Sequence, residues 1–313
     1  MEPKIYDDYK WAKIRLINKY KKFSKELARQ PSNENTFISI NDFLASEPSL
    51  GPNAEPGIIQ YHYTHFENVN DFIKILIEDI YYNEIVCLSN FFAKFKNRFI
   101  VGNTFSYNLD LDYLEIPINA IKEIDQCIQF KRFIYINLNI FWERDDMGHA
   151  NMLLIDNLEK TIERFEPYGK SWKGDKQNLI AKKIDSKFNE DVLEKIKLKG
   201  YKYISPIDIL PVIGFQAKAD AYDGMCVTFS LIYLQLRLMN PDIKHKIIIK
   251  YLLSKKKDEI VDIILKYARY IELSLKKNAY RVNLDRNKLY YKDFDKIQDY
   301  LRIYDGRIET INF

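Results

Sequence analysis

Residues 5–29 open the chain with an amphipathic pattern: Trp11, Ile14, Ile17, Tyr20 and Phe23 recur at three-residue steps, with Lys and Arg filling the other face. That spacing predicts a helix with one buried side. Residues 30–57, with Pro31, Ser32, Pro48, Gly51, Pro52, Pro56 and Gly57, break the period and read as a loop and a boundary. Asp71 is placed to cap a helix presenting Phe72, Ile73, Leu76 and Ile80. The middle of the chain changes character. Residues 132–141 (RFIYINLNIF) are dense in β-branched and aromatic side chains and read as a strand. A polar turn follows over 143–148. Residues 149–155 (HANMLLI) and 161–168 (TIERFEPY) read as two further strands joined by a turn at 156–160. Residues 189–199 have helical character and stop at Gly200, and 202–204 read as a short strand. Residues 226–239 form a helix that is apolar nearly all round and ends at Asn240-Pro241, so it belongs inside the protein. A last amphipathic helix covers 258–277, with Ile260, Ile263, Ile264, Tyr267 and Ile271 on one face. Strands grouped in the middle with helices before and after predict an α+β fold. No internal repeat is visible.

Composition narrows the function classes. The 313 residues are 47 % hydrophobic and 29 % charged, which supports a real core and excludes wholesale disorder. Ten Gly and ten Pro exclude collagen-like and low-complexity architectures. A formal net charge of +4, with both signs intermixed, makes no demand for nucleic acid or an acidic membrane. No apolar run approaches a membrane span, and the first residues do not read as a signal peptide. Three widely spaced cysteines, Cys87, Cys127 and Cys226, form no disulfide framework and no CxxC pair, which points to a reducing compartment. With His62, His65, His149 and His245 scattered, no zinc site is expected.

One of those cysteines stands apart. Cys226 follows Asp223-Gly224-Met225 and opens the buried helix. A helix N-terminus carries free N–H groups and the positive end of the macrodipole. Such a place favours a thiolate and can hold an oxyanion. The plain alternative is a buried structural cysteine. Cys87 and Cys127 lack comparable cues and read as packing residues. A thiolate nucleophile needs a base, and the base needs an orienting carboxylate. Closing the 149–166 hairpin symmetrically about Asn157-Leu158 puts His149 directly opposite Glu166, within reach on one face. A one-residue slip would destroy that arrangement. His62 and His65 have no such partner, and His245 reads as a solvated residue among lysines. Asp145 and Asp146 read as turn residues, and Asp156 is too far along the hairpin. Gln216, ten residues before Cys226, offers an amide donor for an oxyanion hole.

The order His149, Glu166, Gln216, Cys226, with the phrase Phe165-Glu166-Pro167-Tyr168-Gly169, resembles the adenain-like and ubiquitin-like-protein-specific cysteine proteases, and most of all the thiol proteases of large DNA viruses. The resemblance covers about residues 85–245. It implies a papain-like, adenain-type core in which a mixed β-sheet carrying His149 and Glu166 packs on a central helix bearing Cys226. Residues 61–254 would be the protease domain, with helical extensions at 1–60 and 255–313. Cys226 would be the nucleophile, His149 the general base and acid, and Glu166 the orienting carboxylate. Gln216 and the Cys226 N–H would form the oxyanion hole. Trp142, Phe215 and Gly224 are candidates for a narrow substrate tunnel. Three departures stand out: Ala150 where many relatives have Trp, Val227 where many have Gly, and a long Gln216–Cys226 spacing.

The expected activity is that of a cysteine protease or isopeptidase, with no cofactor and no metal. It would cut after Gly-Gly tails of ubiquitin, SUMO or a related modifier, or at Gly-containing sites of a viral precursor. Its setting would be the host cytoplasm or a virion, as a monomer without nucleic-acid or membrane partner. Two other readings use the same residues. One is an acetyltransferase drawing on acetyl-CoA with an inositol phosphate, for which the lysines at 244–250 and 255–257 could supply a basic pocket. The other is a module that binds ubiquitin-like proteins without cutting them.

Overall fold

The computed structural model describes residues 36–47, 86–87, 92–95, 98–101, 104–117, 120–142, 147–170, 182–192, 198–219 and 225–278, with isolated positions around 14–21, 72–76 and 194–196. The fold is α+β. Its strands are β1 (Val86–Cys87), β2 (Phe92–Phe95), β3 (Arg98–Val101), β4 (Thr104–Asn108), β5 (Tyr113–Glu115), β6 (Phe133–Trp142), β7 (Met147–Asp156), β8 (Thr161–Phe165) and β9 (Lys202–Ile204). Seven of them form one mixed sheet in the order β5-β4-β6-β7-β8-β9, with β1 paired beside β4 along the same edge of β6. β4 and β1 run parallel to β6, and β9 runs parallel to β8. β6, β7 and β8 form an antiparallel meander. β2 and β3 pair separately.

The meander alternates in two directions and is apolar in both. Ala150, Met152, Leu154 and Phe165, with Phe133 and Tyr135, face one core. Ile134, Ile136, Leu138, Ile140, Leu153, Ile155 and Ile162 face the other. This explains why apolar side chains stand at both odd and even positions of these strands: a strand covered on both faces needs no polar side. The second face is covered by α2 (Ala120–Ile128) and by the segment contributing Ile184, Phe188 and Val192.

The first face is covered by α5 (Cys226–Met239), and every residue of this helix is buried. Full burial of each large apolar side chain contributes about 1.5–3 kcal/mol, so this helix is a principal source of core stability. Around it lie α1 (Ile40–Ala45), α4 (Phe215–Ala219), α6 (His245–Ser254) and α7 (Lys257–Asn278). A short α3 (Pro206–Ile209) follows β9. α7 presents Ile260, Ile263, Ile264, Tyr267 and Ile271 to the same core, as the period predicts.

Four expectations need correction. Residues 30–57 are not loop throughout: α1 starts there on a capping box in which Ser39 accepts from the Asp42 N–H and Asp42 answers the Ser39 N–H. The Pro and Gly around it masked a short local signal. The helical character of 189–199 begins earlier than expected, with helix over 182–187, and runs on through a π turn at Phe188–Val192 to a helical Glu194. Cys87 and Cys127 are bonded to each other, with Cα atoms 5.6 Å apart, tying β1 to α2, so the cysteines do not argue for a reducing compartment. Spacing alone could not bring them together; the parallel pairing of β1 on β6 does. Cys226 is therefore the free thiol. His245 is not solvated: it begins α6, partly buried, with Nδ1 3.8 Å from Glu163.

At the end of the sheet away from His149 lies a buried charge network. Arg132 pairs with Asp156 at 3.1 Å, and Arg237 pairs with Glu163 at 2.9 Å. Tyr233 also donates to Glu163, so the carboxylate is held on several sides. Next to this network Asn240, which ends α5, accepts from the Ile38 N–H at 2.6 Å and donates to the Ile38 carbonyl at 2.8 Å. The segment before α1 is thus clasped to the far end of the Cys226 helix. No helix among the described residues is long and apolar enough to cross a membrane.

Candidate active site

Three elements bring the candidate residues together. β7 carries His149, the chain just beyond β8 carries Glu166, and the first residue of α5 is Cys226. The β7–β8 register pairs Met152 with Phe165 and Asp156 with Thr161, two residues away from the symmetric closure about Asn157-Leu158. The loop is longer than expected because Asp156 folds back over it: its Oδ1 accepts from the N–H groups of Leu158 and Glu159, and Lys160 takes a positive φ of 53°. Continued one step beyond the last pair, this register sets Glu166 opposite Asn151, not opposite His149. A shift of two preserves the face, so Glu166 still reaches His149 along the diagonal. His149 Nε2 and Glu166 Oε1 are 2.6 Å apart, and both residues are buried.

With Nε2 engaged by Glu166, the other ring nitrogen is left for the thiol, and the His149 side chain hydrogen-bonds Cys226. β8 stops at Phe165, which frees the edge of β7 beyond Met152. The start of α5 comes into that notch, where the Ala150 N–H donates to Cys226 Sγ at 3.4 Å. The preceding residue, Met225, gives α5 no side-chain cap, so the first-turn N–H groups keep their positive field at the thiol end.

The electrostatics follow from this line of groups. Burial pulls the His149 pKa down, but the Glu166 carboxylate and the bonds to Cys226 and Glu166 outweigh it and raise it to about 10. Burial pushes Glu166 up, but His149, Arg164 and the Tyr168 N–H together hold it below its ordinary value. The arrangement favours an imidazolium beside a carboxylate.

The phrase from Phe165 to Gly169 has a structural explanation. Glu166 Oε1 accepts the Tyr168 N–H at 2.9 Å, and the Tyr168 ring lies 5.0 Å from the His149 ring. Gly169, at φ 97°, crosses the chain at Gly214 so closely that a Cβ on Gly169 would stand 2.5 Å from the Gly214 nitrogen. That crossing is fastened by Gly214 N–H to the Tyr168 carbonyl at 2.8 Å and Gln216 N–H to the Pro167 carbonyl at 3.0 Å. It seats Gln216 beside Tyr168, with its side-chain Nε2 donating to Tyr168 Oη at 3.1 Å. Among the described residues the buried Gln216 Oε1 meets no hydrogen-bond partner.

The tunnel candidates fare differently. Phe215 is a buried core residue, stacked on Phe165 with centroids 5.7 Å apart. Trp142 lies at the end of β6 paired with Met147, near the strand end that carries His149. Gly224, Asp145, Asp146, His62 and His65 lie outside the described residues. Three residues that sequence reasoning passed over belong to the site. Asn151 donates to Glu166 Oε2 at 2.8 Å, and Arg164 donates to Asn151 Oδ1 at 2.7 Å. Tyr168 is the third. The available signal was the two-residue period, which puts Asn151 and His149 on one face. Among the described residues no group of three or more His, Cys, Asp or Glu is placed to hold a metal.

No family model and no solved structure matches the chain. It is 28 % identical over 142 residues to a protein of Acanthamoeba polyphaga mimivirus named as an ankyrin repeat protein, a match covering 41 % of this chain. The chain matches only 18 % of that relative's length.

Proposed function

We propose that the chain is a cysteine-type peptidase or isopeptidase, built on a papain-like, adenain-type core, that cleaves after Gly-Gly tails of ubiquitin-like proteins or at Gly-containing sites of a viral precursor. The observation that carries this reading is the buried line of Cys226, His149 and Glu166, each touching the next. The Cys226 sulfur attacks the scissile carbonyl carbon, its proton held by His149. The oxyanion is received by the Cys226 N–H at the start of α5, with the Gln216 amide as second donor. His149 gives its proton to the leaving amine, a thioester forms on Cys226, and water activated by His149 hydrolyses it. Glu166 holds the imidazole in place and stabilises its charged form. The similarity to a mimivirus protein supports a viral setting, in the host cytoplasm or the virion.

The test is incubation with electrophilic probes carrying the C-termini of ubiquitin, SUMO and related modifiers. The expected result is an adduct on Cys226 that Cys226→Ala abolishes. No adduct across the panel, together with no cleavage of Gly-Gly peptides, overturns the reading. Autoacetylation by labelled acetyl-CoA would move the same residues to acyl transfer, and tight binding without turnover would make the chain a binding module.

A further inference from the structure

Beyond Glu166 the polar chain continues into the protein. Asn151 donates its Nδ2 to Glu166 Oε2 at 2.8 Å and accepts on Oδ1 from Arg164 Nη1 at 2.7 Å. Arg164 is 1 % exposed, and its Nη2 and Nε donate to Asp185 Oδ1 at 2.7 and 3.1 Å. Asp185 is held in turn by Tyr203 Oη at 2.8 Å and by Ser205 Oγ. Arg164 also meets Tyr203 Oη at 2.9 Å. These residues come from β7, β8, β9 and the 182–187 helix, so the whole second face of the sheet fixes one carboxylate. The side chains alternate in sign from the surface of the site inward: imidazole, carboxylate, guanidinium, carboxylate. A buried arginine on that path costs desolvation that packing alone does not repay. Nothing in the three-residue line requires it.

Resting on the proposed thiol chemistry, we infer that Asn151 and Arg164 are positioning residues that hold Glu166 ionised and aimed at His149, with Asp185 anchoring Arg164. Asn151 is the joint. Its amide spans the gap because it donates from one end and accepts at the other, one end to each charged group. Among the described residues the charged and titratable groups around Glu166 are His149 from β7, Arg164 from β8, Tyr168 beside the His149 ring and, beyond His149, Cys226 from α5. Removing the Asn151 donor leaves Glu166 Oε2 buried with one fewer partner and cuts its link to Arg164.

The test is the pH dependence of Cys226 alkylation by iodoacetamide in the full chain, read by mass. The sulfur–carbon bond forms as the carbon–iodine bond breaks, and iodide leaves. Cys87 and Cys127 are bonded to each other, so one thiol reports. In Asn151→Leu the acidic midpoint should rise by about one to two pH units, the worth of one hydrogen bond to a charged group. Asn151→Asp, nearly the same shape, keeps an acceptor for Arg164 but loses the donor and adds a like charge; its midpoint should rise at least as far. An unchanged midpoint in either folded variant overturns the inference. Failure of both to fold assigns Asn151 to stability alone and overturns it equally. The assay needs no natural substrate. A shifted midpoint with a silent probe panel would leave the network standing and remove only the peptidase reading.

Discussion

Replacing Gly169 by Ala tests whether the chain crossing at Gly214 builds the site. The new Cβ would stand 2.5 Å from the Gly214 nitrogen, 2.7 Å from the Pro211 oxygen and 2.9 Å from the Val212 oxygen, all backbone atoms. None is the end of a side chain that could swing away. The backbone at φ 97° adds a second penalty for any residue with a Cβ. The conformational term is about 1–2 kcal/mol and the overpacking term about 1–3 kcal/mol, so the variant should lose about 2–5 kcal/mol. If the two chains part to relieve the clash, Gln216 loses its bond to Pro167 and the Tyr168 hydroxyl loses Gln216. Denaturant unfolding reads the stability, and the rate of Cys226 alkylation reads the site. Stability within about 0.5 kcal/mol of the parent, with an unchanged alkylation rate, would refute the reasoning. Gly214→Ala provides a check from the other side, since its Cβ would stand 2.4 Å from the Gly169 nitrogen.

Other predictions are independent of the crossing. His149 is raised above its ordinary 6.5, so its contribution to stability is complete below that value and is lost as pH rises through about 10. Glu166 is lowered, so its contribution is present above its ordinary 4.5 and is lost as pH falls through its lower folded value. Unfolding measured across pH should show both limbs, and Glu166→Gln should remove the acidic one and draw the basic one downward. Reducing the Cys87–Cys127 bond opens a 40-residue loop and should cost about 4 kcal/mol of stability; equal stability with and without reductant would refute it. Glu163→Gln takes from the buried Arg237 its nearer carboxylate, leaving Asp156 at 3.7 Å, and should cost about 1–3 kcal/mol in denaturant unfolding, with Cys226 alkylation in the folded fraction unchanged.

The meander and the Cys226 helix were legible because their apolar runs are long and their ends are marked, at Asn240-Pro241 for instance. β4, β5 and β1 were not, since strands of two to five residues carry too little period to separate from loop. The contact of His149 with Glu166 was anticipated through the wrong register, and it survived because an even shift keeps side chains on their face. Asn151 and Arg164 were missed for a related reason. Buried polar residues interrupt no pattern in a strand covered on both sides, and only the neighbouring strand reveals what they meet. The Cys87–Cys127 bond was invisible because its two ends are local to nothing but each other.

The clasp of Asn240 on Ile38 joins residues 202 positions apart. At ribosomal speeds of roughly 5–20 residues per second, some 10–40 s separate the synthesis of its two halves. Cys226 is made only shortly before the clasp can close, after His149 and Glu166. A nascent chain therefore holds His149 and Glu166 before it holds Cys226, and the thiol arrives with the helix that seals the core.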